Sequence, residues 1–541
     1  MNRRKFIKNT SITGITMAAV NPKTINALTS DEKILKEIHN YDIDLEEITI
    51  DELQENMKNG KYTSQDITAV YLKRIADIDR SGPGLNSVIE LNPDAMSIAK
   101  KLDAERKKGK IRGPLHGIPV LIKDNIDTGD KMMTTAGSLA LTGNYAKVDA
   151  FIVNKLRESG AVILGKTNLS EWANFRSETS SSGWSSRGGQ TKCPYILDRN
   201  PCGSSSGSGA AVAASLCAVA VGTETDGSIT CPSAVNGLVG IKPTVGLLSR
   251  CGIIPISNTQ DTPGPMARTV RDAAILLGAL TGIDSDDIAT AKSKGNFYSD
   301  YTQFLKADGL KDKRIGVEKK IIQGTDKINA IMKEAVKMMK ESGAEIIEVE
   351  IIDKISELGE AEFLAMKYEF KDGLNKYLSQ SDAKVRSLKE VIEFNVENES
   401  EAMPFFKQDI LVSAEELGGL DSDEYKTALN KILDTSRMII DDTMKDNFLD
   451  AISCMTMGPG CSIDLIYGDH YGGIFFTAPA AISGYPHITV PAGSIYGLPV
   501  GLSFMGRPFS EPLLLNIAYS FEQFTKKRVK PEYLKTFSGK H

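Results

Sequence analysis

The sequence predicts an α/β fold in which one large mixed β-sheet is covered by helices on both faces. Two observations lead there. The β-branched apolar runs GIPVLIK, from Gly117, and AVILGK, from Ala161, enclose a helix-like stretch from Ala150 to Glu158, so that strand, helix and strand alternate. Runs of the same kind return far downstream in PHITVPAGSIYGLPVGLSFMG, from Pro486, with glycine and proline at the turns. A chain of 541 residues, 41% hydrophobic and 25% charged, can bury a core of that size.

The elements follow in order. At the start, MNRRKFIKNTSITGITMAAVNP places Arg3 and Arg4 ahead of Phe6, Ile7 and Lys8, a pattern that resembles a twin-arginine export signal. Residues 1–27 are therefore expected to be a signal ending near Ala27, and a periplasmic location follows from it. Residues 28–541 are expected to form one domain. Thr49 with Glu52 makes a capping box, and Ser64 precedes a helix with Ile67, Val70, Tyr71, Ile75 and Ile78 on its apolar face, stopped by SGPG at 81–84. GIPVLIK reads as a buried strand ending at Lys123, and Gly160 closes the helix that follows. Ser208 to Cys217 is expected to be a helix with a glycine and alanine face, leading into the strand AVAVGTE, and a further helix spans Val270 to Leu280 behind Thr269. Residues 309–465 read as a helical, substrate-side elaboration with one strand, AEIIEVEI, and no catalytic pattern. The strands after Tyr471 return to the first sheet.

Composition removes several function classes. A net charge of −6 gives no basic field for nucleic acid. Seven cysteines without C-x-x-C spacing read as small packing residues, and five histidines without an H-E-x-x-H pair argue against a zinc or di-iron centre; no cofactor or metal is expected. No basic amphipathic helix suggests lasting membrane association.

The stretch PCGSSSGSGAAVAA, residues 201–214, admits several chemistries. A phosphate loop needs a lysine that is missing here, and a dinucleotide fingerprint, with Glu224 or Asp226 as its acid, fails on spacing and on the loop that precedes it. Gly203 to Gly207 matches the G-x-S-x-G elbow with Ser205 as nucleophile. That elbow needs a preceding strand, which Asn200, Pro201 and Cys202 break, and a downstream histidine, His470 or His487. A flexible linker does not continue into an uncharged alanine-rich helix. A serine site without histidine remains. A lysine can serve as its base once neutral, and lowering a lysine pKa to about 7 corresponds to roughly 4–5 kcal/mol, within reach of burial. Lys123, behind Val120, Leu121 and Ile122, is so placed. In VGTETDGSITCPS, Ser228 follows a sharp turn, and the backbone N–H groups of Thr225, Asp226 and Gly227 can converge beside its hydroxyl.

Together, Lys123 in LIKDN, the serine and glycine run, and Ser228 in TDGSI resemble the amidase signature family of serine hydrolases, from about Leu45 to Lys527 and most densely from Arg112 to Val270. The resemblance implies that family's fold and a Ser-cisSer-Lys triad: Ser228 as nucleophile, Ser204 bridging after a cis peptide bond, Lys123 as base. Most members have Gly-Gly before the nucleophile and arginine two residues after it. This chain has Asp226-Gly227 and Thr230, and Cys202 and Ser206 at usual glycine positions. These departures look like the peptide amidase branch, which removes ammonia from C-terminally amidated peptides. The implied partner is a peptide amide or other small amide, and the implied assembly a monomer or homodimer. A glutamine-hydrolysing subunit of a tRNA-dependent amidotransferase and a fatty-acid amide or ester hydrolase are the rival readings. An exported chain does not suit the first, since tRNA charging is cytosolic.

Overall fold

A computed structural model describes residues 43–319, 326–472 and 475–539. The export signal expected at residues 1–27 lies outside them. Among the described residues thirteen strands occur in chain order: β1 (Val88–Leu91), β2 (Pro119–Lys123), β3 (Val162–Thr167), β4 (Trp184–Ser185), β5 (Gly189–Gln190), β6 (Val219–Glu224), β7 (Val239–Lys242), β8 (Thr262–Ala267), β9 (Arg314–Glu318), β10 (Glu345–Val349), β11 (Ala451–Met457), β12 (His487–Ile495) and β13 (Leu498–Met505). The short β4 and β5 pair with each other, and the other strands form one 11-stranded sheet, ordered β1-β3-β2-β6-β8-β7-β12-β13-β11-β9-β10. Helices surround it. The sheet is mixed: β3, β2 and β6 run parallel, the strands from β6 through β8, β7, β12 and β13 to β11 alternate, and β11, β9 and β10 are parallel again.

β2, β3 and β6 are buried at every residue, which is why their sequences read as unbroken apolar runs rather than as alternations. The Thr49 capping box is present, and the helix Val270–Leu280 begins behind Thr269 as expected. Other boundaries differ. The helix expected after Ser64 is capped by Thr63, whose side chain and Asp66 make the capping box, while the Ser64 hydroxyl donates to the Gly117 carbonyl at 2.9 Å.

The helix expected over Ser208–Cys217 spans Ser206–Ala213 instead. Its end is set by cations: Arg74 donates to the carbonyls of Ala214 and Ser215, and Arg268 to those of Val212 and Cys217, so the last carbonyls find donors outside the helix. Residues 309–465, expected to hold one strand, contribute three, β9, β10 and β11, all in the main sheet.

β8, TPGPMA, is also a strand despite its prolines. β7 pairs with it only at Met266 and Ala267, so Pro263 and Pro265 lie where that neighbour has parted and their missing N–H groups leave no gap in the ladder.

The helix Ser206–Ala213 sits close to β6, β2 and β3. Gly207 permits this, because a Cβ there would collide with the carbonyl oxygens of Ser87 and Asn168. Gly207→Ala is therefore expected to lower the free energy of unfolding by about 1–3 kcal/mol, measured by urea denaturation of the purified variant.

Candidate active site

Lys123 ends β2 with no solvent exposure. Parallel pairing of β2 with β6 brings Thr223 alongside it. The amine lies 2.7 Å from Ser204 Oγ, 2.9 Å from Thr223 Oγ1 and 3.2 Å from the Thr223 carbonyl oxygen. Asn125 donates from Nδ2 to the same Thr223 hydroxyl at 3.0 Å. Burial pushes the Lys123 amine down to about 7, opposed by the negative charges of Asp261 and Glu224. No salt bridge reaches it among the described residues, so it is held by neutral groups alone.

Ser204 is fully buried and follows a cis peptide bond from Gly203, as the resemblance implies. Its carbonyl accepts from the Ser170 N–H at 3.1 Å. The next residue links the two serine segments, since the Ser205 N–H donates to the Ser228 carbonyl at 3.2 Å. Ser205, the alternative elbow nucleophile, is itself tied to Thr223: its hydroxyl donates to that carbonyl at 3.1 Å and accepts from that N–H at 3.2 Å. The histidines offer it nothing, because His487 pairs with Ser503 at 2.6 Å and His470 is exposed.

Ser228 is 8% exposed and closes the turn that follows β6, in which Gly227 adopts φ +78°. The Phe475 ring and the Thr477 hydroxyl border that glycine. The Ser228 hydroxyl makes no hydrogen bond to protein among the described residues, so Lys123 and Ser204 are in contact while the third residue adjoins them through backbone. Nor do the N–H groups of Thr225, Asp226 and Gly227 donate to a protein acceptor there. Beyond Ser228, the N–H groups of Ile229 and Thr230 donate to Glu224 Oε2 at 2.7 and 2.8 Å. Glu224, which the sequence offers as the acid of a dinucleotide fingerprint, is instead a partner of the turn.

The Thr225 hydroxyl donates to Asp261 Oδ1 at 2.5 Å, and Asp261 Oδ2 accepts the N–H groups of Ile256 and Ser257 at 2.8 and 2.9 Å. Burial pushes the Asp261 carboxyl up to about 6 and that of Asp226 up to about 7. A cavity of about 310 Å³ opens beside these groups, and Asn125, Thr223, Thr225, Asp261, Ile254 and Glu369 are among the residues that line it. Glu369 comes from the helix Gly359–Gln380, so the region after residue 309 does reach this cavity. Reading the sequence missed Thr223, Asn125 and Asp261, and it missed the role of Glu224. Their roles arise from strand pairing and from a side chain turning back on its own loop, and no local pattern announces either. No group of three or more His, Cys, Asp or Glu suited to a metal ion occurs among the described residues, and all seven cysteines are free.

The buried amine has a measurable consequence. An unfolded lysine stays protonated up to 10.5, whereas the folded one loses its proton near 7. The cost to stability is therefore full below about 7 and fades as pH rises towards 10.5. Lys123→Met should remove it, so the variant is expected to unfold at a higher temperature than the parent at pH 6, by an amount that shrinks at pH 10. The limiting value is roughly 4–5 kcal/mol, and calorimetry at both pH values checks it.

The chain is similar to known proteins along most of its length. The family model described as Amidase matches residues 66–515. A probable amidase of Arabidopsis thaliana is 44% identical over 503 residues, 91% of this chain and 92% of the relative. A glutamyl-tRNA(Gln) amidotransferase subunit from Clostridium kluyveri is 35% identical over 489 residues, 88% of this chain and 96% of the relative. The crystal structure of the peptide amidase PAM with its competitive inhibitor chymostatin is 48% identical and superposes with a TM-score of 0.88, covering 90% of this chain and 99% of that one. Sequence, sheet order and the family model thus converge: the chain belongs to the amidase signature family and is an amide-hydrolysing enzyme.

Proposed function

We propose that this enzyme cleaves carboxamide C–N bonds through Ser228, Ser204 and Lys123, and that its substrates are C-terminal peptide amides or related small amides. One observation carries the reading. The amine of Lys123 is sealed from water, depressed to about 7 and 2.7 Å from the Ser204 hydroxyl, which makes it a base at neutral pH rather than a fixed charge. In the proposed reaction Lys123 takes the Ser204 proton while Ser204 takes that of Ser228, whose Oγ bonds to the carbonyl carbon. The oxyanion that forms is received by the N–H groups of Thr225, Asp226 and Gly227. The protonated lysine returns its proton through Ser204 to the nitrogen, the C–N bond breaks, and ammonia leaves an acyl ester on Ser228. Water, deprotonated by the same relay, then hydrolyses the ester.

Two findings favour a peptide amide over glutamine. Identity to the solved peptide amidase is 48%, against 35% for the amidotransferase relative, and the Asp226-Gly227 turn with Thr230 is the pattern that resembles the peptide amidase branch. Ammonia release from amidated peptides, amino-acid amides, glutamine and fatty amides, compared side by side, tests the reading. The amidated peptides are expected to have the highest kcat/KM, and a preference for glutamine together with co-purifying partner chains would overturn it. Ser228→Ala should reduce turnover to background.

The pH profile has a definite sign. Protonation disables the base, so kcat/KM should fall about tenfold per unit as pH drops below about 7, and Lys123→Arg should be inactive at every pH.

Export remains part of this proposal, supported by the order of Arg3, Arg4, Phe6, Ile7 and Lys8. Replacing both arginines with lysine should move activity from the periplasmic to the cytoplasmic fraction of a bacterial host that has the twin-arginine pathway. Equal periplasmic activity would remove this part.

A further inference from the structure

The N–H groups that follow β6 divide sharply. Those of Thr225, Asp226 and Gly227 donate to no protein acceptor among the described residues, whereas those of Ile229 and Thr230 both end on a single oxygen, Glu224 Oε2. The Thr230 hydroxyl adds a third donor to the same oxygen at 3.1 Å. Glu224 is the last residue of β6, paired with Thr262 in the ladder, and 1% exposed. Its backbone is therefore anchored in the sheet while its side chain reaches forward across the turn to the segment just beyond Ser228. A buried N–H without an acceptor is costly, so with this carboxylate missing, Ile229 and Thr230 would draw the turn towards other acceptors. Burial pushes the amine of Lys242, fully buried on β7, down to about 8, opposed first by the negative charge of Glu224.

We propose that Glu224 is a positioning residue for the reaction, a side-chain tie across its own turn that occupies the two N–H groups after the nucleophile and keeps those before it aimed at the oxyanion. Thr230, where most of the family has arginine, belongs to the same tie through its hydroxyl. The inference rests on the function proposed above, because it needs Ser228 as nucleophile and an oxyanion at this turn. It adds a residue that touches neither substrate nor base. Through the turn its effect falls on the transition state, since the groups it holds in place meet a full negative charge only there; its own charge also acts on Lys123, but the alanine and glutamine variants both remove that charge, so the difference between them reports the tie.

The test is the rate at which a fluorophosphonate phosphonylates Ser228, read with kcat and KM for an amide substrate. That reagent forms a tetrahedral phosphoryl centre whose oxygen sits where the oxyanion would. Glu224→Ala is expected to lower both the labelling rate and kcat by about 10- to 100-fold, less than loss of a donor outright, with KM within about threefold. Glu224→Gln should recover most of the loss, because one carboxamide oxygen can accept both N–H groups. A Glu224→Ala protein with the parent's thermal midpoint and the parent's labelling rate would overturn the inference, as would an equal loss in the glutamine variant. If the alanine variant does not fold, Thr230→Val, which removes only the hydroxyl, decides: a kcat drop of a few-fold at constant KM supports the tie, and parent kinetics overturn it. Labelling that persists in Ser228→Ala would overturn the assignment of the nucleophile itself, and the two failures are thereby told apart.

Discussion

Exclusion of water from one amine is the constraint around which this molecule is arranged. Lys123 ends a strand that is buried along its whole length, between β3 and β6, and every polar group that meets its nitrogen is uncharged. A lysine so placed gives up its proton readily because the interior cannot solvate the charge. Open a path for water, or bring a carboxylate into contact, and the same side chain becomes an ordinary cation. The acids that do lie near, Asp261 and Glu224, are engaged elsewhere: the first with Thr225 and two backbone N–H groups, the second with the segment after Ser228.

Closeness of packing follows from that constraint. The helix after Ser205 must lie almost on the sheet to seal the lysine, and only small residues allow it. Arginines from three distant parts of the chain take the carbonyls where that helix ends, Arg74, Arg268 and, through Ala213, Arg528. Long cations thus hold the outer end of a helix whose inner end carries the serines. The charge they bring is neutralised partly by carbonyl dipoles and partly by acids such as Glu47, which pairs with Arg528 at 2.6 Å.

Much of this arrangement could be read from residues alone, and the part that could not has a common cause. β2, β3 and β6 announce themselves because burial on both faces demands an unbroken apolar run. Lys123, Ser204 and Ser228 stand in three ordered motifs, and the family resemblance that those motifs carry is what groups them; the structure puts the Lys123 amine against Ser204 and joins Ser228 to Ser205 through backbone. β8 and β9 were not. TPGPMA has the look of a turn until one knows that its neighbour departs where the prolines begin, and RIGVE has one glycine and charged ends that gain strand character only through β10 and β11. Thr223 found its place beside the amine through sheet register, and Asp261 reached Thr225 from outside the turn. Glu224 was visible, but its part in the turn was not, because what matters is where its side chain bends. Long-range pairing decides these cases, and a local pattern carries no trace of it.

The order of the strands also bears on how the chain is made. β12 and β13, synthesised after the other strands of the sheet, lie between β7 and β11 in its interior rather than at an edge. Until they emerge, the earlier strands can assemble only as two separate half-sheets, each with an unpaired border that invites pairing with other chains. The finished protein closes that seam from within, so the hairpin of β12 and β13 acts as the keystone of an arch: short, placed late, and necessary for the two sides to stand as one.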